Sequence, residues 1–538
     1  MIHRRVLLTL ALLAASSTPP TLAAQHHGGP AAEAEGGQVP LYGEALGGFS
    51  WRVSTRSAEA QAYFDQGVKL MYAFAVPEAR QSFAEARRRD PRCAMCWWGE
   101  AWAMGPYLNG AMRPDDAPGA YAAARRALRL ARRGPAVERA LTRAMAERYT
   151  RAHPDGGRRG LDSAFARAME GVYARFPDDM QVAGLYADAL MVLEPRRGVW
   201  PVDKPSVARI HQVLERALAA DVAHPGVCHS YIHATETSAR AGEAQRCADI
   251  LVNAMPGASH LNHMPSHIYN RMGRWNDAVH SNTVAWASDR RAAEGRAVSV
   301  YPGHNLHMLL FAASVDGQAA RAAEAADAYA AITPSGDGAA MQALVGVRFG
   351  RWDGVLALAA APPHPIHRGL WSFARGYAHL RQGRADSAAA YLARVDSLAA
   401  NTPESVNFRG HSAASLLGIA GGILRAETLR GQGRADEAVA ALEQAVVRED
   451  ALVYDEPEPL PFAVRDWLGA ALLDAGRAAD AERVYRAALD DRPHNGWSLF
   501  GLQQALRAQG RTGDADEARA RFDAAWTRSD VRLESSRF

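Results

Sequence analysis

The sequence predicts an all-α protein built as a solenoid of repeated helix-turn-helix units. Three observations carry this expectation. From Ala58 to the end, alanine-rich segments place apolar residues at the helical period, and β-rich runs are lacking. The strings VPEARQSFAEARRRDP, RADEAVAALEQA and RAADAERVYRAALDDRP share a small residue, a bulky one four later and a small one three later. Proline often follows five further on, as in Ala79, Phe83, Ala86, Pro91 and again in Ala481, Tyr485, Ala488, Pro493. Third, Gly-Arg pairs recur where a first helix hands over to a second: Gly273-Arg274, Gly383-Arg384, Gly433-Arg434 and Gly476-Arg477.

In chain order, residues 1–24 read as a secretory signal: Arg4 and Arg5, an apolar run, then small residues. The run is too short to span a bilayer, and no later stretch is long and apolar enough. The expected location is therefore outside the cytoplasm, with the periplasm as the compartment. Residues 25–48 read as a disordered Gly/Ala/Pro leader, although a new N-terminus Gln25-His26-His27 could chelate Cu(II) or Ni(II). Residues 49–538 are assigned to the solenoid, with histidine-rich central repeats at 225–335. The formal net charge of +3 includes two arginines of the signal, so no basic field argues for nucleic acid.

Four cysteines in an oxidising compartment should pair. Cys93 and Cys96 form C-x-x-C, and the histidine that c-type haem attachment needs is replaced by Trp97, so no haem is expected. A local disulfide is the default reading of this pair, with a metal or redox role as the alternative. Cys228 and Cys247 lie on successive expected helices and could staple one hairpin.

These strings resemble the tetratricopeptide repeat (TPR), a 34-residue pair of antiparallel helices. The resemblance covers nearly all of residues 49–538, is strongest around Ala79, Ala244, Ala278, Ala388, Ala438 and Ala481, and is weaker between 118 and 195. It implies a right-handed α-solenoid of about 11–12 units. The segments CAMCWWGEAWAMGP, HPGVCHSYIH, HLNHMPSHIY, YPGHNLHM and YDEPEPLPFAVR together resemble a group of exported bacterial TPR proteins.

Ten of the 19 histidines fall between His211 and His307. Ala244 and Ala278 are 34 residues apart, so both can be set to position 20 of a unit. His229 and His263 then share position 5, His233 and His267 position 9, His260 takes position 2 and Glu236 position 12. After an insertion at 292–301, His304 takes position 2 and His307 position 5. Spacings of three and four make one helical stripe, away from the positions that pack the repeat. His211, His224 and His280 fall off it. In the repeat family this stripe lines a concave groove, which the resemblance implies here.

Seven phased imidazoles point to a transition-metal site at His229, His233, His260, His263, His267, His304 and His307. An acid/base or anion-binding pocket, or a polar groove without metal, is the alternative. Glu236, Tyr231, Tyr269, Met264 and Met308 are candidates for an outer shell. Nitrogen donors, thioethers and an exported location favour copper, with zinc or iron as alternatives; no nucleotide is expected. Seven ligands exceed one tetrahedral zinc, so two ions with about three imidazoles each would account for them. No H-E-x-x-H occurs, which removes a zincin-type peptidase.

Phe64, Met71, Trp98, Trp102, Trp371, Phe373 and Tyr377 are candidates for an aromatic groove, although repeat packing explains most such residues. The acidic, Pro-rich stretch 454–459 reads as a plain connection, the alternative being a cover for the groove. Two functions compete: a metalloprotein, an oxidoreductase in its enzymatic form or else a metal carrier, and a scaffold holding a small-molecule or peptide ligand in the groove. The insertion at 292–301 is where a substrate loop would be expected.

Overall fold

The computed structural model describes residues 39–195, 199–333, 336–358 and 360–538. The signal, Gln25-His26-His27 and the leader as far as residue 38 lie outside them. The chain is an all-α solenoid of helical hairpins, as expected, and among the described residues one two-stranded ladder pairs Asn407–Phe408 with His411–Ser412. Consecutive helices pack on one another along the chain, beginning with Ala58–Tyr72 on Val76–Arg89 and ending with Gly496–Ala508 on Thr512–Ala525. No described helix is long and apolar enough to cross a membrane.

Local chemistry sets the helix ends. Ser57 accepts from the Ala60 amide, Asp179 from Gln181 and Val182, and Asn495 from Trp497, each satisfying an orphan donor at a helix start. Gly273 ends Pro265–Met272 with φ +70°, and a Cβ there would stand 2.0 Å from the Pro493 carbonyl. Glycine is thus required twice, for the left-handed turn and for the approach of a chain segment 220 residues away.

That approach shows how this solenoid differs from an open array. Both ends of the described chain return to the middle. Near the start, Tyr72 offers its carbonyl to His229 and Gly257 donates to Ala45. Near the end, the Trp275 indole donates to Pro493, and the Trp497 indole to Ser314. Of the stretch expected to be an irregular leader, the described residues 39–48 dock on the first helix: Gln66 accepts from Tyr42, and Leu46 is buried. Backbone groups and the side chains of Val39, Tyr42 and Leu46 do the docking.

Candidate metal centre

Three successive first helices supply the histidines. His229 and His233 come from Pro225–Thr235, His304 from Pro302–Val315, and the middle three from Ser259–His263 and Pro265–Met272. These last two are one helix broken at Met264, where Pro265 has no amide hydrogen to donate. His260 and His263 therefore precede the break and His267 follows it.

The rings converge in two groups, His229/His233/His260 and His263/His267/His304, each with candidate ligand atoms within 4.8 Å of one another. Ring centroids of His229 and His233 are 4.8 Å apart, and those of His263 and His304 are 4.6 Å apart. The groups adjoin, with His260 and His263 at 5.8 Å and His233 and His267 at 6.4 Å. His307 joins neither. It stacks on Tyr329 at 5.5 Å, and its Nδ1 accepts from Arg409. Burial, with Arg409 adding to it, lowers His307 to about 3. The seven-membered stripe is thus corrected to six.

What surrounds the rings is specific. His229 Nδ1 lies 2.5 Å from the Tyr72 carbonyl, His233 Nδ1 2.8 Å from Glu236 and His263 Nδ1 2.7 Å from the Asn282 side-chain oxygen. His267 Nδ1 stands 3.0 Å from Glu236 and 2.9 Å from Glu456. In His229, His233 and His263 an oxygen holds Nδ1, which assigns the proton there and turns Nε2 inward as the lone-pair donor, whereas His267 Nε2 meets His263 Nε2 at 2.8 Å. Nε2 of His229, Nε2 of His233 and both nitrogens of His260 are buried without a hydrogen-bond partner. A buried polar atom left unsatisfied costs about 1–3 kcal/mol, so this concentration calls for a ligand.

Electrostatics separate the two kinds of ring. Burial, then neighbouring imidazoles, hold His229, His260 and His263 well below the ordinary value, which keeps them neutral. Burial acts against a charged His267 as well, but Glu456 and Glu236 outweigh it and raise that group to about 10. Burial would raise Glu236, yet His233 and His267 hold it well below the usual carboxylate range.

The groove is closed rather than open. Phe74, from the turn after the first long helix, lies 4.5 Å from the ring of His229 and 5.1 Å from that of His260. Tyr301 meets His260 edge-on, and its hydroxyl lies 3.2 Å from that of Tyr107. The insertion at 292–301 is a fixed wall and not a loose loop: Val298 bonds to Gly257 and Ser259, and Val300 is buried. On the other side, the 454–459 stretch brings Glu456 onto His267, which corrects its reading as a plain connection. The hairpin residue Arg409 holds it there, gripping both oxygens of Asp455 and the Glu456 carbonyl. Sequence reasoning missed Arg409, Asn282 and Phe74 altogether; the acidic, Pro-rich composition of 454–459 was the one available signal.

Other candidates are placed elsewhere. The Tyr231 hydroxyl donates to Glu215 and Glu243, the Tyr269 hydroxyl to Asp249, and Met264 packs in the hydrophobic core. Met308 lines a cavity of about 460 Å³ that reaches His267 and Glu456. Phe64, Met71, Trp98, Trp102, Trp371, Phe373 and Tyr377 are core residues, which fits repeat packing. The off-stripe His224 caps Pro225–Thr235 by accepting from Val227. Disulfides join Cys93 to Cys96 and Cys228 to Cys247.

No protein-family model matches the chain, and no curated protein does. Solved structures it is similar to include the TPR domain of P58(IPK), at 11% identity over 85% of this chain and 99% of that one, with a TM-score of 0.23. A second is the human IFIT1 dimer with m7Gppp-AAAA, at 11% identity, 87% and 90% coverage and a TM-score of 0.29. A third is the APC/C hetero-tetramer Cut9-Hcn1, at 12% identity, 88% and 95% coverage and a TM-score of 0.28. Superpositions this loose bear on neither the site nor the function of this chain.

Proposed function

We propose that this is an exported metalloprotein whose six clustered histidines, four of them buried, hold transition-metal ions, copper foremost, in two three-imidazole groups. The observation that carries the reading is the outward anchoring of Nδ1 in His229, His233 and His263, which leaves Nε2 directed into the cluster. Metal-binding histidines are held this way by carbonyls and carboxylates, and losing such partners weakens binding. Neutral nitrogen donors favour copper, zinc or iron over magnesium or calcium.

Burial of the stripe argues against the competing role of an open groove for peptides. An oxidoreductase is favoured over a carrier by the cavity of about 460 Å³ beside His267, which is large enough for a small substrate. When bound, copper would supply one-electron redox chemistry. The chain's own part is to fix the imidazole lone pairs, exclude water behind Phe74 and Tyr301, and keep a proton between His267 and two carboxylates.

Elemental analysis of protein recovered from an exported preparation tests the metal. At least one equivalent of copper, zinc or iron is expected; less than about 0.1 equivalent, with no recovery on reconstitution, rejects it. Oxygen consumption or substrate turnover by the loaded protein, lost in His263→Ala, separates enzyme from carrier.

A further inference from the structure

A centre with four of its six histidines buried, and His233 and His304 half-buried, needs a way in, and a cavity reaches it at His267. His229, His260, His263 and His267 are at most 4% exposed. On the face toward the chain's start, the cavity that touches His229 has about 30 Å³, room for a single water, and is closed by Phe74 and Trp102. On the opposite face, the cavity of about 460 Å³ is lined by one of the six histidines, His267, and by Glu456. The Glu456 side chain is 24% exposed, whereas those of Glu236 and His267 are 6% and 2% exposed. Of these three groups Glu456 is the one most open to solvent.

Glu236, His267 and Glu456 also bring candidate ligand atoms within 4.8 Å of one another. This set is chemically unlike the other two. It offers carboxylate oxygens, which replace water readily around a hydrated divalent ion, and it is negatively charged, which neutral imidazoles are not. Glu236 Oε2 and His267 Nδ1 are buried with no well-formed hydrogen bond. The surrounding cavity wall suits a cation, because its acidic side chains outnumber its three arginines, Arg271, Arg465 and Arg492, and the latter two are paired with Asp450 and Glu458.

We propose that Glu236, His267 and Glu456 form a loading site, where a divalent transition-metal ion arriving through this cavity is first held before it passes to the histidine groups. The inference rests on the reading of those groups as a metal centre. Glu456 supplies the attraction and the first oxygen ligand. Glu236, which also touches His233, connects the site to the group farther in. Arg409 is a positioning residue, because its grip on Asp455 and the Glu456 carbonyl fixes where the Glu456 carboxylate sits.

The test follows uptake of Zn(II) by the metal-stripped full chain in stopped flow, with Zn(II) presented on a chromophoric chelator, and then measures final stoichiometry. For Glu456→Gln we expect uptake slowed by about tenfold or more, as expected for losing an electrostatic guide, with final stoichiometry unchanged. Glu456→Asp should recover most of the rate, and wild-type uptake should slow as salt rises. Glu517→Gln, the same charge change at an exposed position of Thr512–Ala525, a helix with no residue in the cavity wall, should match wild type. Wild-type rates in Glu456→Gln, or a lost ion at unchanged rate, overturn the loading role while leaving the histidine centre standing. Should Glu456→Gln misfold, a salt-independent wild-type rate overturns it equally. Failure of the wild-type chain to bind Zn(II), Cu(II) or Fe(II) overturns the metal centre itself, and the loading site with it.

Discussion

An imidazole offers a metal one lone pair, and at His263 a single residue decides which nitrogen carries it. Asn282 accepts at 2.7 Å from His263 Nδ1, and its own amide donates to the Ala278 carbonyl, so the side chain cannot turn over without breaking a bond. Asn282→Ala should therefore lower metal affinity by about 10–100-fold with the fold intact, measured by competition with a chelator. Asn282→Asp, which keeps the acceptor, should recover much of it. The same scale separates His304 from His307. They lie three residues apart on Pro302–Val315, a rise of about 4.5 Å, enough to carry the second ring out of the cluster toward Tyr329 and Arg409. His304→Ala should reduce bound metal, whereas His307→Ala should leave the stoichiometry at wild type; equal losses in both would restore the seven-ligand stripe.

Among the elements, the 454–459 stretch is held at two points with different chemistry. Arg409 grips Asp455 on one side, and beyond the other end Glu449 accepts from the Val464 amide with both oxygens at 3.1 Å. Burial raises Glu449 from an ordinary 4.5 to about 7. Between those values the folded chain keeps a proton that the unfolded chain has released, so stability falls as pH rises through this window. Glu449→Gln should flatten that slope and raise Tm at pH 7 and above, read from melts taken between pH 4 and 8. A slope unchanged in the variant would show that another group titrates there. This element also marks the limit of what the sequence made legible. The stripe of histidines was readable because its period is local: the 34-residue spacing of Ala244 and Ala278 sets one phase for the two units that carry His229 to His267. The partners were not, because Tyr72, Asn282, Arg409 and Glu456 reach the rings from other helices and loops, and no spacing along one helix encodes those meetings. A groove expected to be open is closed for the same reason.

At the scale of the whole molecule, the returning ends make this solenoid unlike a linear array, in which each unit touches only its neighbours. Arg348 and Asp466, 118 residues apart, form an ion pair at 3.0 Å that is 1% and 0% exposed, with the guanidinium 3.7 Å from the Trp497 ring centroid. Asp530 accepts from the Ala319 and Ala320 amides at the start of Ala319–Ile332, and the Tyr377 hydroxyl donates to the Phe538 carbonyl. Breaking a buried pair strands a charge, so Arg348→Met should cost about 3–5 kcal/mol. Arg348→Met with Asp466→Leu should recover part of that, since the uncompensated carboxylate is gone, although Ser498 then loses its bond to Asp466. The loss should not stay local. Because the pair joins Asp337–Arg348 to Val464–Asp474, and Trp497 beside it bonds Ser314 in the helix that carries His304, weakening it should lower the unfolding midpoint of the histidine repeats too. Hydrogen exchange resolved by peptide reads this directly. Faster exchange across 259–315 in Arg348→Met, in step with 464–508, is the outcome that closure requires; acceleration confined to 464–508 would mean that the repeats unfold as independent neighbours.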